Sequence, residues 1–485
     1  MHVTDSVAEL SLNHIDGRWL GDAATARPVI DPASGEMLSR QAMADAAQID
    51  LAVRAACRVH RAGALSALRP VERARMLHGM AAFIGANQAE IALTLTLEQG
   101  KPLWESRIEV AGAVRFLEYY ANLAESLEGR SIPLGGHYVD FTEVEPRGVT
   151  AHIIPWNYPF EMTARSLAPA LASGNPCVVK TPEMTPLSNL WYARAAEACA
   201  LPAGAVNIVC GLGSIAGAAL ASHPLVNLIV FTGSVKSGIA VAHAAAENVV
   251  PTILELGGKS AAIVYPDADL DAFETNMRYG IFYNAGQTCS AMSRVVVHES
   301  RVEELLERAA NLARALSVGP GIERSEEGLN MGALASNERR DAVRDMVRRA
   351  QLQGAQVVAG GNALAGPGAF LQPTVIRALE AGCEIAQEEV FGPVLTVLSF
   401  KTDQQAVEIA NGTRFGLVAG VFTRDLERAL RTARALRGGQ VFINEWFAGG
   451  VETPFGGVGQ SGFGREKGQE GMMNYVQTKN IAIRL

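Results

Sequence analysis

From Gly148 onward the chain alternates short apolar runs with longer stretches of helical periodicity, and this rhythm restricts the fold more than anything else in the sequence. The runs cover 149–154, 176–180, 206–209, 228–231 and 253–256. Apolar runs of this length, spaced by some twenty or more residues, cannot be a hairpin meander. Parallel strands need a crossover of about a dozen residues or more, usually a helix. The pattern therefore predicts an open parallel sheet covered by helices, an α/β fold. A second series follows Gly257, with strands expected at 260–264, 294–297, 356–359 and 394–400 and charged amphipathic helices over 301–316 and 336–353. At 485 residues the chain exceeds what one hydrophobic core serves, so two or three domains are expected.

The opening is different. Ile15-Asp16-Gly17-Arg18-Trp19 reads as a short hairpin and Asp31–Glu36 as a turn, followed by helices from near Asp45 to Ala56, over 70–84 and over 88–99. Between 121 and 145 the pattern becomes irregular and then alternating, with Gly135-Gly136 at the bend. The tail, 475–485, is partly alternating and ends apolar, and an exposed terminal strand of this kind is an aggregation hazard unless paired. Composition narrows the partners. Hydrophobic residues at 48% and charged residues at 19% describe a soluble globular chain, and a net charge of −8 gives no reason to expect nucleic acid or an anionic membrane. No apolar run approaches the ~18 residues that span a bilayer. The N-terminus carries Asp5, Glu9 and Asp16 and lacks the apolar core of a signal peptide. The six cysteines are dispersed, without a Cys-X-X-Cys pair or a histidine near enough for zinc, so no metal is expected. These features predict a reducing, cytoplasmic setting.

Three loop-like segments carry chemistry. Gly286-Gln287-Thr288-Cys289-Ser290-Ala291 surrounds a thiol with small residues that leave room for a substrate, and the thiolate is a strong nucleophile near neutral pH. Glu255-Leu256-Gly257-Gly258-Lys259-Ser260 sets a carboxylate before two glycines, and Pro155-Trp156-Asn157-Tyr158-Pro159 sets an amide between two prolines. Taken singly, each is also what an ordinary turn or a buried thiol looks like. Together they offer a nucleophile, a base and an oxyanion donor.

In this order the three segments resemble the signatures of the aldehyde dehydrogenase superfamily: its Glu-Leu-Gly-Gly-Lys box at Glu255 and its Gly-Gln-X-Cys-X-Ala box at Cys289, 34 residues apart. The resemblance runs from Trp19 to the last residue. It implies two open parallel-sheet α/β domains, a variant Rossmann cofactor domain (1–124 and 147–257) and a catalytic domain (258–460). A small β oligomerisation element (125–146 and 467–485) completes the fold. In the family the tail strand and the 125–146 hairpin pair across a subunit interface, which implies a homodimer or homotetramer. It further implies oxidation of a small-molecule aldehyde to a carboxylic acid. Cys289 attacks the carbonyl, Asn157 and the Cys289 backbone N–H hold the oxyanion, and Glu255 activates the water that hydrolyses the thioester. Lys259 and Lys180 would tune charge and cofactor position. A relative that passes the thioester to coenzyme A would not need Glu255. A catalytically silent binding or structural protein would not need Cys289, Glu255 and Asn157 together.

No Gly-X-Gly-X-X-Gly stands in the usual dinucleotide position, since Gly211-Leu212-Gly213 lacks the third glycine. The better candidate is Phe231-Thr232-Gly233-Ser234, leaving a strand and entering a helix whose first N–H groups would face a diphosphate. By the resemblance, Ile154, Pro155, Trp156, Gly213, Leu256 and Gly257 also line the cofactor. Lys180 and Glu183 face the adenosine ribose, Glu389 bonds the nicotinamide ribose, and Phe391 packs on the ring. A glutamate at 183 repels a 2′-phosphate, which favours NAD over NADP. For the aldehyde, the helix after Asn157 is expected to line a tunnel. Glu161 and Arg165, four residues apart, share a face there. Semialdehyde-oxidising relatives use an arginine at the Arg165 position to grip a substrate carboxylate. Here Glu161 is expected to neutralise it, and Tyr283 replaces those relatives' second tunnel arginine. Tyr158, Tyr283, Trp446, Phe447 and Phe455 would form an aromatic wall. The expected substrates are therefore uncharged aliphatic or aromatic aldehydes, with a succinate-semialdehyde-like substrate held by Arg165 as the alternative.

Overall fold

The computed structural model describes residues 8–485; Asp5 and the start of the 1–124 segment lie outside the described residues. Two α/β sheets meet where the chain passes from Glu255 to Ala261. The first has eight strands, and its five central ones are parallel, in the spatial order Thr252–Glu255, Leu228–Thr232, Thr150–Ile153, Cys177–Thr181, Val206–Cys210. All five are buried almost throughout, which is why they read as continuous apolar runs rather than alternating ones. The hairpin Asn13–Ile15 and Arg18–Leu20 extends one edge antiparallel, with Asp16 at φ 54° and Gly17 at φ 72° making the turn.

The order reverses beside Thr150–Ile153. From that strand the chain builds outward to 177–181 and 206–210, then returns to lay 228–232 on the other side. Two loops consequently leave the same pair of strand ends in opposite directions and open a crevice at their carboxyl ends, the usual ligand position in open α/β sheets. Segment 154–158 and segment 233–234 form its lips.

The second sheet has seven strands, ordered Gln356–Ala359, Thr374–Arg377, Val394–Phe400, Arg294–His298, Ala261–Val264, Val418–Phe422, Gln440–Ile443, all parallel except the first. Three of these, at 374–377, 418–422 and 440–443, escape the sequence reading: Gly420 breaks the second, and the other two hold only two or three consecutive apolar residues. The helix Leu103–Leu123 also escapes it. Its buried face carries Glu105, Ser106 and Glu109 where apolar residues are expected. Helix starts are well marked: Asp45, Ser234 and Ser336 each accept a hydrogen bond from the backbone N–H three residues on.

The tail has a partner within the chain. Val476–Arg484 pairs antiparallel with Tyr138–Pro146 of the same chain over nine residues, and Ser131–Ile132 completes a three-stranded sheet. Tail and hairpin therefore satisfy each other within one subunit, and Val476–Arg484 is left as an edge. Among the described residues, no single helix is long and apolar enough to cross a membrane.

Candidate active site

The crevice at the strand-order reversal deepens into a cavity of about 730 Å³. Every residue expected at the cofactor lines it, from Lys180, Glu183 and Gly213 at one end, through Ile154–Trp156, Phe231–Ser234, Leu256 and Gly257, to Glu389 and Phe391 at the other. Asn157 and Cys289 close that second end. At the first end Glu183 accepts from the Gly213 N–H at 2.6 Å and lies 3.0 Å from the Lys180 ammonium, so the carboxylate is held at the mouth. In the middle, Ser234 caps the helix Val235–Glu247, whose first turn faces the cavity through Ser237.

At the far end two glycines allow three segments to touch. A Cβ on Gly257 would lie 2.4 Å from the Glu389 carboxylate, and one on Gly258 would lie 2.4 Å from the Cys289 carbonyl oxygen. Only hydrogen at those positions lets the Glu255 loop pass between Glu389 and the cysteine loop. The Gly258 N–H in turn donates to Glu389 at 2.9 Å. Burial pushes the Glu389 carboxyl up to about 7. Phe391 holds a left-handed backbone, φ 54°, with its ring edge-on to Trp156 at 5.3 Å.

Cys289 is half-buried at the mouth of its loop. That loop is fixed on both flanks: Thr288 shares a 2.8 Å hydrogen bond with the Tyr158 hydroxyl, and the Trp446 indole N–H donates to the Ser290 carbonyl at 3.2 Å. Burial, and after it the neighbouring Glu255 carboxylate, push the thiol well above its ordinary range. Burial lifts Glu255 itself to about 7, partly offset by the Arg165 guanidinium 3.6 Å away. A base balanced near neutrality thus stands beside a protonated thiol. The Asn157 amide is buried and points one N–H at the Gln287 carbonyl, 2.9 Å away, two residues before the cysteine.

Comparison with known proteins gives the family. Residues 19–481 match the aldehyde dehydrogenase family. The chain belongs to that family. It is 41% identical over 471 residues to a betaine aldehyde dehydrogenase from Cereibacter sphaeroides, covering 97% of this chain and 96% of the relative. To a hydroxyisobutyraldehyde dehydrogenase from Mycolicibacterium austroafricanum it is 40% identical over 478 residues, 98% and 94% of the two chains. Among solved structures, the NAD+ complex of an aldehyde dehydrogenase from Bacillus cereus superposes with a TM-score of 0.96 at 34% identity, over 98% of this chain and 97% of that one. The protein is therefore an aldehyde-oxidising oxidoreductase with the aldehyde dehydrogenase fold.

The aldehyde side of this dehydrogenase departs from the sequence expectation. Tyr158, Glu161, Arg165, Tyr283, Phe447 and Phe455, expected along an aldehyde tunnel, do not line the large cavity. Tyr158 and Tyr283 do stack, ring centroids 6.4 Å apart, and Phe455 lies under the Arg165 guanidinium at 4.6 Å. Trp446 is buried beneath the cysteine loop, while Phe447 is exposed. Glu161 is not the partner of Arg165. That guanidinium is ion-paired with Glu466, a residue 301 positions further along the chain, and the same Nη2 lies 3.6 Å from Glu255. Glu466 comes from the strand-like segment that bridges to Phe455, and no local pattern ties it to Glu255. Glu161 instead sits half-buried near Gly112, its carboxyl raised to about 7 by burial.

Sequence reasoning also missed Arg339. It lines the cavity 5.7 Å from both the Trp156 and Phe391 rings, at the start of a helix whose charges read as solvated. Lys259 is fully buried, its ammonium without a hydrogen-bond partner, and burial lowers it to about 7.

Proposed function

We propose that this aldehyde dehydrogenase uses NAD to oxidise uncharged aliphatic or aromatic aldehydes to carboxylic acids through a thioester on Cys289. The observation that carries the reading is that Cys289 and Asn157 line the same cavity as Lys180 and Glu183, with the Glu255 carboxyl against the Cys289 thiol. The fit to NAD rests on chemistry at both ends of that cavity. Glu183, held by Lys180 and the Gly213 N–H, offers a carboxylate to ribose hydroxyls and repels a 2′-phosphate. Glu389 offers another carboxylate beside Phe391. NAD, when bound, supplies a hydride acceptor.

The residues then divide the work. Cys289 passes its proton to solvent and adds as the thiolate to the aldehyde carbon, so the carbonyl oxygen becomes an oxyanion. The Asn157 amide and the Cys289 N–H stabilise it, each such donor worth roughly 3–4 kcal/mol in the rate. After oxidation the acyl group rests on sulfur. Glu255 then takes a proton from water, which attacks the thioester, expels the thiolate and releases the acid.

Arg165 bears on the substrate class. Its charge is already shared between Glu466 and Glu255, so a substrate carboxylate would have to displace a buried ion pair to reach it. Of the two relatives above, one is named for hydroxyisobutyraldehyde, an uncharged aldehyde, and the other for betaine aldehyde, a quaternary ammonium cation; neither molecule carries a carboxylate. The test is kcat/KM for benzaldehyde and hexanal against succinate semialdehyde. A clear preference for the semialdehyde that disappears in Arg165→Met would install the semialdehyde reading instead.

The same reading takes 1–124 with 147–257 as the NAD-binding domain, 258–460 as the catalytic domain, and 125–146 with 467–485 as the oligomerisation element. The unpaired edge of Val476–Arg484 supports a homodimer or homotetramer, which sedimentation would measure. Six free cysteines suit a reducing, cytoplasmic setting.

A further inference from the structure

Behind Asn157, on the side away from the cavity, lies a buried charge pair that no step of this reaction uses. Lys101 and Glu109 form an ion pair with no exposed side-chain surface on either partner. Lys101 follows the helix Gln88–Gln99, and Glu109 stands on the helix Leu103–Leu123. The Lys101 ammonium also donates to the Asn157 backbone carbonyl at 2.9 Å and rests 4.1 Å from the centre of the Tyr158 ring. Glu109 accepts from the backbone N–H groups of Phe160 and Glu161, at 3.1 and 3.3 Å. These are free donors of the first turn of the helix Pro159–Ala172. The pair therefore grips the Asn157–Pro159 turn twice, the cation on its carbonyl and the carboxylate on the helix that follows.

A second grip comes from the cysteine side. Asn284 donates to the same Asn157 carbonyl at 2.9 Å and accepts from Gln99 at 2.9 Å, while its backbone N–H donates to Glu105 at 2.9 Å. Asn284 and Ala285 both hold left-handed backbones, φ 49° and 51°. Such conformations persist where the surroundings over-determine them. Three residues on, the Gln287 carbonyl receives the Asn157 amide. Carbonyl, side-chain amide and cysteine loop are thus joined in one buried network.

We propose that Lys101, Glu109 and Asn284 are positioning residues for the Asn157 amide, holding it where the carbonyl oxygen becomes an oxyanion. This rests on the reading of Asn157 as an oxyanion donor. None of the three touches the substrate. A buried ion pair contributes little net stability against an apolar pair of similar size, so its role here is geometric.

The test is the double variant Lys101→Met/Glu109→Gln, which leaves neither charge buried alone, with Asn284→Gly beside it. The glycine keeps the left-handed backbone and removes only the amide. Three quantities are measured: the rate of the first NADH burst, the Kd for NAD, and the rate at which iodoacetamide alkylates Cys289. Alkylation places no negative charge on a carbonyl oxygen, so it does not need Asn157. The double variant is expected to slow the burst about 10- to 100-fold. Asn284→Gly is expected to slow it about 3- to 10-fold, and in both variants alkylation and NAD binding stay within about twofold. In an Asn157→Ala background the same changes should cost less than about threefold, because the group they position is gone. An unchanged burst, a parallel fall in alkylation, or losses that multiply with Asn157→Ala would each overturn the proposal. If Asn157→Ala alone leaves the burst unchanged, the oxyanion reading itself fails, and that outcome is distinct from the others.

Discussion

The two sides of Cys289 are built from different materials. On the cofactor side the wall is strand ends and backbone: the 154–157 loop, the Phe231–Ser234 turn, and Gly257 and Gly258 where three segments meet. Away from that cavity the surroundings are long side chains locked by charge, with Arg165 between Glu466 and Glu255 and with Lys101 paired to Glu109. A backbone wall tolerates only residues of one size and φ, so its positions are constrained locally. A charge-locked region can depend on a partner far along the chain, as Arg165 does on Glu466, and changing one member propagates to the others.

The largest expected effect tests where the two walls meet. Cys289→Ala should reduce aldehyde-dependent NADH formation on the order of 10⁴-fold or more while calorimetry finds the NAD Kd unchanged, because the nucleophile is lost and the backbone wall is not. NADH formation near the original rate would remove Cys289 from the reaction.

Glu255→Gln comes next. Steady turnover should fall roughly 10²- to 10⁴-fold with a first burst of NADH still visible in stopped flow, since acylation precedes hydrolysis. Loss of the burst as well would mean that Glu255 is the indispensable acceptor of the thiol proton, and the thiol's dependence on that one carboxylate would be complete.

Titration sharpens the charge-locked side. A general base works deprotonated, so the hydrolytic step should rise with pH through about 7, the value to which burial lifts Glu255, and should be lost below it. Arg165 holds that value down; Arg165→Met should therefore move the limb to higher pH. A limb that stays in place would show that Arg165 does not act on the Glu255 carboxylate.

The smallest effect belongs to the cofactor mouth. Glu183→Ser removes a like charge from the ribose and should improve the use of NADP relative to NAD by about tenfold, consistent with a partly screened repulsion of ~1–2 kcal/mol. Equal kcat/KM for both cofactors in the unaltered enzyme would mean that Glu183 faces something else.

The βαβ rhythm and the three chemical segments were legible in the sequence, and the family resemblance pointed to much of the cavity wall, though not to Arg339. Continuous apolar runs mark strands buried on both faces, and glycines mark backbones that must nearly touch; both are local demands, written where they act. The helix Leu103–Leu123 was not legible, because its buried Glu105 and Glu109 look like a solvated face until their partners Lys101 and Asn284 are placed beside them. The partner of Arg165 was misjudged for the same reason. Glu161 is its neighbour by helical spacing, yet the tertiary fold brings Glu466 from the far end of the chain to within ion-pair contact. That the tail strand pairs with Tyr138–Pro146 of its own chain likewise appears only in the fold. Sequence alone determined what each segment must be, since steric and burial requirements act over a few residues. Which charges meet was decided only by the tertiary structure, because buried ions are satisfied by whatever partner the fold delivers, at any separation along the chain.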